Sequence, residues 1–398
     1  MKKMTDTTAM SLASIQTWRL GLALALLGCA ATTMAQTTRY VAASGANGAY
    51  TTIAAAITAS ANGDTIHIIE SPHTEYGMTI DKSLTIKGDG ADQTIIQGHA
   101  DRDTAGDRLF KITTASTVAF EDLTLQHGRT PAANNGGALN IAAVAAQTTI
   151  QRCHIKDNNA YRNGGGVYAT SATGSSLTVL DSTFSGNVTQ YTSQGAGGGA
   201  IYAGNVDLVV RNCTFFDNLA SSLWSYGGAI RPFPAEGQTA LIQNSTFVNN
   251  RSYKEGSNTG GGAIGTSDTT TLYRDRVLVE SCVFQGNQAN AANYGSCMYR
   301  VSISNTVYHT TASGCIDLGG NTETSDAKVA TVLADNGGPT PTLALLEDSP
   351  AIDAGSNPAS LAYDQRGTGF ARTVNDVTDC GAYEFGAEKP AGTIILLR

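Results

Sequence analysis

A phenylalanine–asparagine motif returns along this chain at nearly constant spacing, and that return limits what the chain can fold into. Its copies are "CHIKDN" (Cys153–Asn158), "STFSGN" (Ser182–Asn187), "CTFFDN" (Cys213–Asn218), "STFVNN" (Ser245–Asn250) and "CVFQGN" (Cys282–Asn287). Their large apolar residues Ile155, Phe184, Phe215, Phe247 and Phe284 follow at intervals of 29, 31, 32 and 37 residues. A weaker copy, "EDLTLQHG", places Leu125 in the same phase. A glycine motif keeps step: "GGALNI", "GGGVYA", "GGGAIYA", "GGAI" and "GGGAIG", then a degraded "GSCMY".

Each unit holds two or three short alternating segments, such as "LTVLDSTF" and "VDLVVRNCTF", separated by Gly/Asn turns. Alternation with period two is the mark of a strand, and no helical period occurs in this region. One such unit cannot bury its own apolar face, so the units must stack. A coil of this length with three strands is a parallel β-helix with rungs about 4.8 Å apart. The expected fold is all-β, a right-handed parallel β-helix. Stacking turns the repeats into ladders: the apolar residues inside, and Asn158, Asn187, Asn218, Asn250 and Asn287 at a turn, where amides bond to one another and to backbone. These are scaffold residues. "YVAASGANGAYTTIAAAITASANGDTIHII" reads as a strand, a short helix around Tyr50–Ala59 and a strand, with the helix placed to cap the open end of the coil.

The first 35 residues read as a cleaved export signal: Lys2, Lys3 and Arg19 precede the apolar run Leu20–Ala31, and Thr33 and Ala35 offer a cleavage site. The run is shorter than the roughly 20 residues a spanning helix takes. An alternative is lipidation of Cys29 in "LLGC". Removing three basic residues and one acidic residue takes the net charge from −8 to −10. An acidic chain with no Lys/Arg-rich run excludes nucleic acid as the expected partner. The C-terminal run Ile394–Leu397 is a last strand, a cap or a sorting remnant, not a membrane anchor. The expected organisation is 1–35 signal, 36–130 cap and first rungs, 131–310 repeats, 311–386 a distinct C-terminal region and 387–398 a tail, the whole a secreted or cell-surface monomer.

The paired repeats resemble those of the chlamydial polymorphic outer-membrane proteins and related pectin-lyase-like β-helix proteins. The C-terminal stretch resembles the choice-of-anchor Q family of bacterial surface proteins. "LADNGGPTPTLALLEDSPAIDAG" (Leu333–Gly355), "DQRG" (Asp364–Gly367), Arg372 and "GAYE" (Gly381–Glu384) carry that resemblance. It implies an exported β-helix whose means of surface attachment varies between members.

Six cysteines follow residue 35. Cys153, Cys213 and Cys282 share one repeat position, alternating with Ser182 and Ser245, so neighbours in this set lie two rungs apart, beyond disulfide reach. They read as buried thiols, as does Cys297, while Cys315 and Cys380 leave room for one bridge. No Cys/His cluster has metal-ligand spacing, and no cofactor is expected. Asp157 and Asp217 share the position before the ladder asparagine, two rungs apart. As a catalytic pair they would sit at the far edge of an inverting geometry; turn aspartates explain them more simply. Between each ladder asparagine and the next glycines lies an aromatic: Tyr161, Tyr191, Trp224 with Tyr226, Tyr253, and Tyr294. Two readings stand: the rings tie down their own loops, or they line one side of the solenoid and contact a ligand. The first functional reading is a non-catalytic, adhesin-like binder of polysaccharide or host or matrix macromolecules. The second is a polysaccharide lyase or glycoside hydrolase, and the third a structural surface-layer component.

Overall fold

The repeats do stack. The computed structural model describes residues 36–131, 133–171, 174–192, 195–253, 259–266, 274–290, 297–309 and 312–389. The leader 1–35 with Cys29, the ring of Tyr294 and the run Ile394–Leu397 lie outside them. From Thr37 on, the chain clusters as one unit. Its strands form three long parallel sheets of eleven, nine and ten strands and a short one of five. We call them the long, glycine, phenylalanine and corner sheets.

Register follows the motifs. In the phenylalanine sheet Leu125, Ile155, Phe184, Phe215, Phe247 and Phe284 pair in succession. Their rings stack at 5.1, 4.8 and 4.7 Å from Phe184 to Phe284, with interplanar angles of 14°, 3° and 6°. Those separations equal the rung spacing expected for paired strands, so the rings occupy one column without strain. The glycine sheet sends Leu139, Val167, Ile201, Ile230, Ile264 and Met298 inward in the same way. All are buried.

The asparagine column is buried and bonded throughout. Asn158, Asn187, Asn218 and Asn250 each donate Nδ2–H to the next Oδ1 at 2.9–3.0 Å. Each of these Oδ1 atoms also accepts the preceding asparagine's backbone N–H. The residue before each asparagine is left-handed: Asp157, Gly186, Asp217, Asn249 and Gly286 have φ between 50° and 65°. Only glycine and short polar residues adopt that conformation cheaply, which accounts for both aspartates. In the glycine motif, Gly198 has φ +66°, and a Cβ on Gly199 would lie 2.2 Å from the Gly228 carbonyl oxygen. The rungs pack too closely there for any side chain.

The helix α1 (Ile53–Ala59) forms where expected, capped by Thr52 Oγ1, which accepts from Ala55 N at 3.1 Å. It buries Ile53, Ala56 and Ile57 against the first strands. Cys153, Cys213 and Cys282 are buried free thiols; their backbone N–H groups donate to the hydroxyls of Ser182, Ser245 and Thr306 on the next rung. Burial pushes the Cys153 thiol up to about 12. Cys315 and Cys380 are also free. Cys315 packs on the coil interior and Cys380 in a separate apolar cluster outside it, so no bridge joins them.

Two features differ from expectation. The segments after the ladder asparagines, Asn159–Ala160, Val188–Gln190, Leu219–Ser221, Arg251–Ser252 and Gln288–Ala289, pair as the corner sheet. They are too short for alternation to reveal them. The coil also continues past 310: Ala312–Ser313, Ile316–Asp317 and Thr322–Thr324 make a last rung. Only beyond it does the chain turn back and lie along the outside of the phenylalanine sheet. Thr183 Oγ1 donates to the Pro341 carbonyl at 2.6 Å, and Gln365 Nε2 donates to Thr183 Oγ1 at 2.8 Å. Ala382 N donates to Thr246 Oγ1 at 2.9 Å. This strap is held by two buried ion pairs, Asp364–Arg366 and Arg372–Glu384, each at 2.6 Å. The C-terminal signature residues are therefore the parts of a clasp.

Candidate functional site

The loop aromatics divide. Tyr161 and Tyr191 meet edge to face at 5.6 Å, and the Arg162 guanidinium lies 4.9 Å from the Tyr191 ring and donates to its hydroxyl at 2.9 Å. Trp224 and Tyr253 are each 44% exposed. Tyr226, expected in the same exposed row, is buried. Its backbone bridges Gly197 and Gly260 within the stacked turns, which directs the ring onto Tyr299 at 5.8 Å.

Asp157 is bound to Arg102 at 3.1 Å and Asp217 to Arg251 at 3.4 Å. Two separate arginines thus hold two separate turns. One arrangement does resemble an activated nucleophile: His154 Nε2 lies 2.8 Å from Ser185 Oγ. Burial, reinforced by the Lys156 charge, pushes the imidazole down to about 3. A base that weak cannot take a serine proton efficiently near neutral pH. His154 also lines a hollow of about 290 Å³ beneath the strap hairpin, walled by Ala91, Ile95, Pro339 and Pro341.

The richest surface is one the loop-based reading passed over. In the glycine sheet the residue after each inward Leu, Val or Ile points out of the coil. Pairing aligns Thr79, Lys111, Asn140, Tyr168, Tyr202 and Arg231 in one outward row. Tyr168 and Tyr202 stack at 5.1 Å and 22°, and Phe233 continues the row 6.1 Å from Tyr202. Arg231 lies among them, its guanidinium 5.7 Å from Tyr202 and 5.0 Å from Phe233. This aromatic platform is a row of rings stacked on one another, with the Arg231 guanidinium in cation–π contact. Burial and the neighbouring Tyr202 raise the Tyr168 phenol above its ordinary value, so it stays protonated and able to donate.

At the N-terminal end the platform drops into a polar cleft of about 490 Å³, floored by Thr79, Lys111, Asn140 and Tyr168 and walled by Asp107, Arg108, Asn134 and Asn135. That volume is within the range of small-molecule sites. Asn140 is 7% exposed. Its Nδ2 donates to the Asn135 carbonyl at 3.3 Å, an acceptor-only group, which fixes the orientation of the amide. Oδ1 is left without a partner. A buried acceptor left unpaired costs about 1–3 kcal/mol. The signal was present in "GGALNI", "GGGVYA" and "GGGAIYA": the residue after the inward position is Asn, Tyr and Tyr.

A family model for a right-handed β-helix region matches residues 105–277. The chain is a right-handed parallel β-helix. No curated protein is similar to it in sequence. Among solved structures it is similar to a pectin methylesterase variant in complex with a hexasaccharide. That likeness is 13% identical, covers 71% of this chain and 80% of that one, and has a TM-score of 0.26. At those values it carries no functional argument. Among the described residues of this β-helix, no helix is long and apolar enough to cross a membrane. The strap covers the phenylalanine sheet; on the glycine sheet Tyr168 and Tyr202 are half-buried and Lys111 is exposed.

Proposed function

We propose that this β-helix is an exported, non-catalytic polysaccharide-binding protein whose platform and cleft hold an extended glycan along the glycine sheet. The observation that carries the reading is the stacked Tyr168–Tyr202 pair running into a polar cleft with an unpaired buried acceptor. Aromatic faces with a polar tip suit the apolar faces of sugar rings, and amides and hydroxyls beside them suit sugar hydroxyls. Because rungs recur about every 4.8 Å, successive sugars of an extended chain would meet successive rungs. The signal-like leader supports export, and the likeness of Leu333–Gly355 to choice-of-anchor Q proteins supports a place at the cell surface.

Calorimetric titration of the protein with neutral and acidic oligosaccharides tests this. Tyr202→Ala, an outward change that leaves the coil interior intact, should weaken binding at least about tenfold, the equivalent of roughly 1.4 kcal/mol. Unchanged affinity in Tyr202→Ala and Tyr168→Ala would place binding elsewhere, with Trp224 and Tyr253 the next residues to replace. Release of reducing ends or unsaturated uronates from any polysaccharide would replace the binding reading with an enzymatic one.

A further inference from the structure

We propose that the cleft is selective for an anionic sugar unit, its carboxylate or sulfate paired with Lys111 and a neighbouring hydroxyl donating to Asn140 Oδ1. The proposal rests on the platform being glycan-binding, and adds the charge and the contact points of the sugar. Three observations carry it. The wall carboxylate, Asp107, is already engaged: its Oδ1 accepts from Arg108 Nε at 3.3 Å and from Arg108 N at 2.8 Å. Lys111 on the floor is exposed and has no ion pair among the described residues. The cleft therefore keeps an uncompensated positive charge in a chain of net charge −8.

The third observation is the register. Lys111 pairs directly with Asn140 on the next strand, and Asn140 with Tyr168. A cation and an unpaired acceptor one rung apart, beside a π-face, match one ring that carries an anion and a hydroxyl near each other. A neutral sugar would satisfy Asn140 and Tyr168 but leave Lys111 to water. A free inorganic anion would satisfy Lys111 alone.

The test uses three oligosaccharides of one length titrated into the whole protein: a uronic acid chain, the same chain with its carboxyls reduced to alcohols, and a sulfated chain. One or both charged chains should bind about tenfold more tightly than the reduced chain, a preference that shrinks with added salt. Which charged chain is preferred identifies carboxylate or sulfate. Lys111→Gln should bring the charged chain down to the affinity of the reduced one. Lys87→Gln, on the long sheet, should keep the preference. Equal affinity for charged and reduced chains, or a preference that survives Lys111→Gln, overturns the inference while the glycan-binding reading stands. Binding of none of the three overturns both.

Discussion

Replacing Asn218 by leucine should remove more stability than its size implies. Its Nδ2 donates to the Phe184 carbonyl and to Asn250 Oδ1, each at 2.9 Å, and its Oδ1 accepts from Asn187 N at 3.1 Å and Asn187 Nδ2 at 3.0 Å. Four hydrogen bonds are lost, at about 1 kcal/mol each. The Asn187 backbone N–H is then buried without a partner, a further cost of about 1–3 kcal/mol. Asn187 Nδ2 keeps the Ile155 carbonyl at 2.8 Å, and Asn250 Oδ1 keeps Asn218 N at 3.2 Å, so neither is orphaned. The apolar leucine side chain returns about 1–2 kcal/mol by leaving water. The net loss should be about 4 kcal/mol. Urea unfolding followed by both far-ultraviolet circular dichroism and tryptophan fluorescence measures it, provided the two transitions coincide. A loss below about 1 kcal/mol would refute the claim that the buried, bonded amide column supports the coil.

Two other perturbations test the covered face. His154 is held neutral far below its ordinary value, so the unfolded chain binds the additional proton between pH 6.5 and about 3. Stability from this group is complete above pH 6.5 and falls as the solution is acidified, by at most about 1.4 kcal/mol per pH unit. His154→Gln should flatten the acid limb of a stability-versus-pH curve, and an unchanged limb would assign it to other groups. Arg372→Met leaves Glu384, which burial pushes up to about 7 despite the arginine, in a site that is 1% exposed. The loss should be about 3–5 kcal/mol, with Arg372→Met/Glu384→Leu recovering most of it. Equal loss in the single and double variants would show that the bonds from Arg372 to the Gly381 and Asp379 carbonyls, rather than the ion pair, hold the strap.

What could be read from the sequence was whatever stacking repeats. Phe215 and Asn218 recur because every rung meets the same geometric demand at the same place, and the alternation of Cys213 with Ser182 and Ser245 follows from that demand. The strap obeys no such period. Its bonds join residues far apart in sequence, as Thr183 with Pro341 and Asn244 with Ser356 do, and no local pattern encodes those partners. The loop aromatics misled in part because a ring in a variable stretch has two uses with one composition. Tyr226 is buried; Trp224 and Tyr253 stay exposed. The outward row of the glycine sheet was legible in principle, since the inward Ile201 of "AIY" fixes the direction of Tyr202.

The outward residues of the two faces show why the strap lies on one of them. On the phenylalanine sheet the outward position before each ring is Thr183, Thr214, Thr246 and Val283, all nearly inaccessible although they lie outside the coil. Each is small, three carry a hydroxyl, and their row accepts close approach: a Cβ on Gly381 would fall 2.8 Å from Thr246 Oγ1 and 2.7 Å from the Val283 side chain. A face built that way can be closed by a chain bearing its own donors, as Gln365 and Ala382 do. The glycine sheet instead sets Lys111, Asn140, Tyr168, Tyr202 and Arg231 along its outward row. Loop backbone meets that row at two of its polar groups, where Asn140 donates to the Asn135 carbonyl and Arg231 to the Gly195 carbonyl, while Tyr168 and Tyr202 stay half-buried. The row's flat rings and unpaired acceptor suit a partner that arrives in solution, with hydroxyls of its own and no side chains to fit.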